Sequence, residues 1–182
     1  GSIFMRLSEM ERRFDNCDNI EKTILRTLRN LYKSGIYEEN SIFRTEWIKQ
    51  AAGLFELEGR DFEWTGWLKT LEDKEFLKIA RRNKIWAEDA YLEFVVKPEV
   101  ETTQLDILES MMEVFSENPE VLQMAGERTY DIGTVDAQIA DYMKIAIGAF
   151  EKVLEQINKD EQHAEYIKAQ NYLGQSYWSL SK

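Results

Sequence analysis

The chain has 182 residues, of which 43% are hydrophobic and 12% aromatic, with 9 glycines and 2 prolines. This composition excludes a disordered chain and disfavours a β-sandwich with frequent turns, so we expect a folded, mainly α-helical protein. The single cysteine and single histidine exclude an internal disulfide and a zinc site built from Cys and His. The sequence has no apolar run of membrane-helix length and no signal-peptide pattern, which predicts a cytoplasmic protein.

The formal net charge of −11 is concentrated in the second half of the chain. Residues 1–96 carry 16 Lys and Arg against 18 Asp and Glu, whereas residues 97–182 carry 7 against 16. A strongly acidic surface repels phosphate backbones and anionic membranes. We therefore expect no membrane contact, and any nucleic acid would have to bind the first half.

A leading segment and three helices are predicted in the first half. Gly1 and Ser2 resemble a cloning scar, and residues 1–18 are assigned to this scar and a leading helix. Asp18 and Glu21 have the spacing of a capping box, which predicts the start of the next helix. By hydrophobic periodicity, the three helices span about residues 19–34, Thr45–Ala52 and Asp61 to about Lys74.

A β-hairpin is predicted next, because residues 76–86 alternate between polar and apolar side chains around Arg82-Asn83. A β-rich run follows over residues 91–96. Alternatively, a helix through 76–86 would make this half a plain helical bundle. Three helices followed by a hairpin resemble a winged-helix domain, and Trp67–Ile79 resembles its recognition helix and first wing strand. The resemblance implies a winged helix-turn-helix domain with a small β-hairpin wing over residues 19–98.

The predicted hairpin contains basic residues and no acidic residue, a composition that wings use against phosphates. The alternative interpretation is a solvated hairpin. The preceding helix carries many carboxylates and few side chains suited to base edges, so DNA is the less favoured partner. The candidate nucleic-acid-binding residues are Lys78, Arg81, Arg82 and Lys84.

Four helices are predicted in the second half, at about residues 100–117, 119–133, 142–154 and 166–180. Large, small, aromatic and turn residues recur in the last three of these helices: Leu122, Ala125, Gly126 and Gly133, then Ala146, Phe150 and Val153, then Leu173, Gly174 and Tyr177. These three sets resemble the pattern of tetratricopeptide repeats. The resemblance implies tetratricopeptide-like helical hairpins over residues 99–182.

The spacing of the repeat is longer than the family's. Gly126 and Gly174 are separated by 48 positions, against the usual 34. We expect the extra residues in a longer turn near 134–140 and in an extended helix end after Leu154. Because stacked repeats normally number about three, we expect either a fragment of a longer array or a last helix that serves as a cap.

The repeat resemblance implies a concave groove lined by the exposed side of each first helix. The acidic residues of its first part favour a basic or neutral peptide over a terminal carboxylate. Alternatively, Tyr172 and Trp178 pack against a further repeat, and residues 166–180 self-associate. The predicted groove residues are Glu120, Gln123, Glu127, Tyr130, Asp131, Lys168, Asn171, Gln175 and Trp178.

No catalytic motif occurs: a glycine-rich phosphate loop, a nucleophile elbow and paired Glu-x-x-His motifs are all absent from the sequence. His163 is interpreted as a solvated side chain and Cys17 as an inert thiol, so no catalytic residue, metal or cofactor is predicted. We predict a non-catalytic regulatory module that binds a protein or peptide. The alternatives are a DNA-binding transcription regulator with a sensor half, or the regulatory arm of a signalling ATPase, the latter by fold analogy alone.

Overall fold

The computed structural model describes residues 2–53 and 60–182. Within these ranges it contains nine α-helices and one three-stranded antiparallel sheet, so the prediction of a mainly helical protein is confirmed. Gly1, interpreted as part of a cloning scar, lies outside the described residues. The chain divides into two compact units: unit 1 comprises Gly1–Tyr32 and Tyr37–Glu101, and unit 2 comprises Lys33–Ile36 and Thr102–Lys182.

The helices of the first half follow the predicted ranges closely. The capping box is present: the Asp18 carboxylate accepts from the Glu21 N–H at 2.8 Å, and the Glu21 carboxylate accepts from the Asp18 N–H at 3.1 Å. These two bonds satisfy amide groups that a helix start leaves unpaired. The elements are α1 (Ile3–Asp15), α2 (Asn19–Lys33), β1 (Ile42–Arg44), α3 (Thr45–Ala52), α4 (Asp61–Asp73), β2 (Leu77–Arg81), β3 (Lys84–Ala87) and α5 (Asp89–Phe94).

The sheet has the strand order β1-β3-β2, with β3 pairing antiparallel to both neighbours. The predicted hairpin is confirmed, and the alternative of a continuous helix through 76–86 is wrong. Arg81 pairs with Lys84 across a two-residue turn, where Asn83 has a φ of 63°. Asparagine tolerates this left-handed conformation better than most residues, which suits it to a tight hairpin.

The β-rich run predicted at 91–96 is wrong, because these residues form most of α5 and the two positions after it. The Glu88 carbonyl accepts from the Leu92 N–H at 3.2 Å, which is a helical bond. Leu92, Val95 and Val96 are buried, at the i, i+3, i+4 spacing of one helix face. Burial of this face outweighs the β-propensity of the side chains.

A buried ion pair joins α2 to the end of α4 in unit 1. The Lys74 ammonium contacts the Glu21 carboxylate, whose side chain is 6% exposed. The hydrogen bond with Glu21 raises the pKa of Lys74. Removing Lys74 would leave the buried Glu21 carboxylate without its counterion, whereas the Lys74 side chain is 39% exposed and would be hydrated if Glu21 were removed.

Unit 2 contains α6 (Gln104–Val114), α7 (Pro119–Gly133), α8 (Ile139–Gln156) and α9 (His163–Leu180). The predicted range of α7 is confirmed, with Asn118 accepting from the Val121 N–H at 3.1 Å as its N-cap. The predicted start of α6 at Val100 is wrong, because the Thr103 hydroxyl accepts from the Asp106 N–H and begins the helix there. The helices α8 and α9 are both longer than predicted.

The helices α7 and α8 are antiparallel and approach closely at two glycines. A Cβ atom at Gly126 would lie 2.8 Å from the Phe150 ring, and one at Gly133 would lie 2.5 Å from the Tyr142 Cβ. We expected Gly126 to lie at a close helix crossing with Ala146, the small residue of the partner helix. The atoms nearest to Gly126 belong instead to Phe150 and Ala149. Small residues therefore set the distance between these helices.

Candidate functional site

The helices α7 and α9 both pack against α8 and contact each other. The Lys168 ammonium on α9 lies 3.3 Å from the Glu127 carboxylate on α7. One turn further on, the Tyr130 and Tyr172 rings meet edge to face, with centroids 5.7 Å apart. Glu127 and Lys168, one predicted groove residue from each helix, are therefore in contact.

A cavity of about 320 Å³ lies where the amino-terminal parts of α7 and α9 meet the carboxyl-terminal end of α8. We call it the α7–α9 cavity. Four predicted groove residues line it, namely Glu120, Gln123, Glu127 and Lys168. The remaining lining residues were not predicted as part of the site: Pro119, Met124, Val153, Ile157, Gln162 and Glu165.

The other groove residues lie outside this cavity. Asp131, Asn171 and Gln175 are exposed. Trp178 is 63% exposed, and the Lys182 ammonium lies 3.6 Å from the centre of its ring. Of the predicted groove residues, four thus line a cavity, whereas Asp131, Asn171, Gln175 and Trp178 are exposed outside it.

The α7–α9 cavity carries an excess of negative charge. Three carboxylates, from Glu120, Glu127 and Glu165, line it together with one ammonium group, from Lys168. Further along α7, desolvation and then the nearby Glu127 charge raise the pKa of Asp131.

The Gln123 side chain has one satisfied and one unsatisfied end. Its Nε2 donates to the Glu127 carboxylate at 3.0 Å. Its Oε1 is buried and has no hydrogen-bond partner in the part of the chain that the structure describes. Because an ionised carboxylate only accepts, the amide nitrogen must face Glu127, and the oxygen is left as the unpaired acceptor.

The four basic residues of the hairpin have different environments. Lys84 pairs with Glu38 at 2.8 Å, and hydrogen bonds from Lys84 and then Arg44 lower the pKa of Glu38. The Lys78 ammonium lies 5.5 Å from the centre of the Trp86 ring. Arg81 and Arg82 are exposed and form no ion pair with any residue of the described ranges 2–53 and 60–182.

A second cavity, of about 340 Å³, lies between this hairpin and the helices α3 and α4. Arg81, Arg82 and Lys84 line it, together with Trp64 and Thr65 of α4. Glu38 is shared between Lys84 and Arg44, at 2.8 Å from each. Among the residues that the structure describes, Lys78, Arg81 and Arg82 are the basic residues of the hairpin that form no ion pair.

The two residues considered for chemistry have no suitable surroundings in the described part of the chain. His163 is exposed at the start of α9, as predicted. Cys17 is buried, and desolvation raises the pKa of its thiol to about 11. No group of three or more His, Cys, Asp or Glu side chains is placed to hold a metal ion among the residues searched, those at 2–53 and 60–182.

No helix in the described ranges is long and apolar enough to cross a membrane. No family model, curated protein or solved structure matches this chain.

Proposed function

We propose that the chain is a non-catalytic protein-interaction module that binds a basic or neutral peptide segment along α7 and α9. The observation that carries the proposal is the α7–α9 cavity, which has an apolar floor and a rim of carboxylates. Apolar centres with polar, charged rims are typical of protein recognition surfaces. The acidic second half of the chain adds a long-range attraction for a basic partner.

We further assign α7 and α8 to a tetratricopeptide-like hairpin and α2–β3 to a winged-helix domain. The close antiparallel contact at Gly126 supports the first assignment. The order of three helices followed by a two-stranded hairpin supports the second. On this assignment, the winged-helix domain docks to or orients another part of an assembly, while the repeat-like half holds the peptide.

Peptide selection on the full chain tests the proposal. A displayed random library is selected against the chain, and the affinities of the recovered peptides are measured by fluorescence polarisation. We expect Glu127→Lys and Tyr130→Ala each to weaken binding about tenfold or more, because both change the groove directly. Glu155→Lys, the same charge change at an exposed α8 position outside the cavity, serves as the matched control.

Peptides that bind Glu127→Lys and Tyr130→Ala as tightly as the unchanged chain would contradict this proposal. So would a selection that recovers only acidic peptides, because the charge of the cavity repels them.

A DNA-binding regulator is the second candidate. Arg81 and Arg82 favour it, because both are exposed and form no ion pair with residues 2–53 or 60–182. Duplex binding through the hairpin predicts that Arg81→Ala and Arg82→Ala each reduce the salt dependence of affinity by about one unit of slope. We expect weak binding or none. A sequence-specific complex tighter than about 10⁻⁸ M at physiological salt would make the regulator the better proposal.

A further inference from the structure

We infer that the cavity between the hairpin and the helices α3 and α4, here called the hairpin cavity, binds a short acidic segment of a protein partner. One carboxylate of that segment pairs with Arg81 and Arg82, and a neighbouring apolar side chain packs against the cavity wall. This inference rests on the docking role that the proposed function gives to the winged-helix half. Three features carry it: the charge of the cavity, its apolar wall and the pairing of the cations around it.

The hairpin cavity is lined by four basic residues and, among the residues that the structure describes, by no acidic residue. Lys49 and Lys84 are each paired with a carboxylate, at 3.0 and 2.8 Å. Arg81 and Arg82 are exposed and form no ion pair within the described part of the chain. Two neighbouring guanidinium groups bind a carboxylate strongly, because their hydrogen bonds to it are charge-assisted. The cavity therefore has the charge that an acidic side chain requires.

The wall of the hairpin cavity is apolar. Trp64 and Leu68 of α4 line it and are buried. Ile79 of β2 lines it as well and is 41% exposed. An apolar side chain next to an acidic one can therefore cover Ile79 while the carboxylate reaches the arginines. The volume of about 340 Å³ lies at the lower end of known ligand pockets, which suits a short segment.

The cations around the cavity favour an acidic peptide over a DNA duplex. A duplex carries one phosphate charge about every 1.7 Å along its axis, so it needs cations over a length of protein surface. Lys69, the basic residue of α4, lies 2.9 Å from Glu72 and 3.4 Å from Asp73. Lys49, the basic residue of α3, is paired with Asp61. The unpaired cations that the structure describes on α3, α4 and the hairpin are therefore confined to the hairpin, which is enough for one or two carboxylates.

The test uses the full chain and four capped heptapeptides of the form Gly-X-Z-X-Z-X-Gly. In three of them Z is leucine and X is glutamate, glutamine or lysine; in the fourth X is glutamate and Z is serine. Binding is followed by two-dimensional amide NMR at physiological salt. We expect saturable shifts of the residues that line the cavity with the glutamate–leucine peptide. The glutamine and lysine peptides should bind about tenfold more weakly or worse, because the charge-assisted pair is lost.

Lys78 provides a matched control on the same hairpin. It is basic, exposed and without an ion pair in the described ranges, but it lies over the Trp86 ring and does not line the cavity. Arg81→Gln and Arg82→Gln should each weaken binding of the glutamate–leucine peptide about fivefold or more. Lys78→Gln should weaken it about twofold or less. All three variants change exposed side chains and should keep the melting temperature of the unchanged chain.

The apolar wall is tested by Ile79→Thr, which keeps a β-branched side chain on the strand. This variant should bind the glutamate–leucine peptide about threefold more weakly, because the leucine loses an apolar partner. Its affinity for the glutamate–serine peptide should be that of the unchanged chain, which separates a lost contact from a distorted hairpin.

Equal affinity for the glutamate–leucine and glutamine peptides, or no shifts at the cavity with the former, would overturn the inference. An equal loss in Lys78→Gln and Arg81→Gln would do the same, because the hairpin would then attract acidic peptides without a site. A short DNA duplex that binds more tightly than the glutamate–leucine peptide, and that requires Arg81, would overturn it in favour of nucleic acid. Self-association that Arg81→Gln abolishes in sedimentation would overturn it in favour of a second copy of the chain.

The proposed function has a separate outcome. Basic peptides that require Glu127 and Tyr130, together with no binding of acidic peptides at the hairpin, would support the groove along α7 and α9 and refute this inference alone. Acidic peptides that require Arg81, together with no binding in that groove, would support the hairpin cavity and refute the groove.

Discussion

The helices α7 and α9 were both predicted to be the first helix of a repeat, but they differ in how they are packed. Six residues of α7 are buried, and a Cβ atom at its Gly126 would collide with the Phe150 ring. Three residues of α9 are buried, and no atom of the described chain lies within 4 Å of the corresponding position at Gly174. A sequence motif therefore predicts which residues of a helix are apolar or small. The helix that packs against those residues determines how much they contribute to stability.

The largest difference is expected between Phe150 and Trp178. Phe150 is fully buried and stacks on Tyr172 with ring centroids 5.3 Å apart, so Phe150→Ala should cost about 3–5 kcal/mol. Trp178 is 63% exposed, so Trp178→Ser should change stability by about 0.5 kcal/mol or less. Urea unfolding measures both free energies.

Sedimentation of Trp178→Ser adds a second readout. If residues 166–180 self-associate, this variant should be more monomeric at an unchanged melting temperature. A drop of several degrees would place Trp178 in the core and contradict its exposed position.

The two glycines should respond with opposite sign to the same substitution. Gly126→Ala forces an overlap with Phe150 and Ala149, and overpacking of this kind costs about 1–3 kcal/mol. Gly174→Ala enters open space and should stabilise α9 by about 0.5–1 kcal/mol, because alanine has the higher helix propensity. Chemical unfolding of the two variants gives the sign directly, and losses at both positions would remove the distinction between the helices.

The same difference between buried and exposed helix positions can be tested at two alanines, one on α8 and one on α9. Ala146 on α8 is fully buried, so Ala146→Leu should overpack the helix contact and cost about 1–3 kcal/mol. Ala164 is exposed at the start of α9, so Ala164→Leu should change stability by about 0.5 kcal/mol or less. A neutral Ala146→Leu would argue against tight α7–α8 packing.

The smallest effect is a pH dependence in α9. Tyr177 donates to the Glu151 carboxylate at 2.6 Å, and this hydrogen bond raises the pKa of Tyr177. A pKa raised in the folded state gives stability that is complete below about pH 10, the unfolded value, and is lost as the pH rises through the folded pKa. Tyr177→Phe should weaken the decline in melting temperature above pH 10.

The Glu151→Gln variant should shift the absorbance titration of Tyr177 towards lower pH. An unchanged titration would show that the Tyr177 to Glu151 bond does not form in solution.

Sequence alone predicted the elements that have strong boundary signals. Asn118 and Pro119 mark the start of α7, and Gly133 marks its end, because each has a specific role at a helix terminus. The turn at Asn83 is equally well marked. The strand β1 was missed because three residues are too few to show alternation, and it exists only by pairing with β3.

The helix α5 was missed for a different reason. Its six residues include Tyr91 and Phe94, which favour strands, and its buried face continues beyond the helix at Val95 and Val96. One helical turn gives too few positions to distinguish a period of 3.6 from a period of 2. Burial of this face in the folded protein, rather than local propensity, therefore determines that α5 is a helix.

The candidate site was partly predictable. Mapping the exposed face of two related helices identified Glu127 and Lys168, which the structure pairs. The cavity floor was not predicted, because Ile157 lies just beyond α8 and Met124 lies on a face that the repeat pattern leaves unassigned. Likewise, the ion pair of Lys84 with Glu38 depends on a contact between residues 46 positions apart.

Because Cys17 is buried, the reactivity of its thiol reports local opening of unit 1. Its Sγ lies 3.3 Å from the Arg13 carbonyl oxygen, and burial holds the thiol pKa at about 11. Thiol reagents attack the thiolate, so this residue should be labelled only while the turn between α1 and α2 is open, at a rate that follows the population of that open form. Because the chain has a single cysteine, that rate describes unit 1 alone. A second cysteine placed on the exposed surface of α9 would react orders of magnitude faster, so a thiol reagent would label it before Cys17.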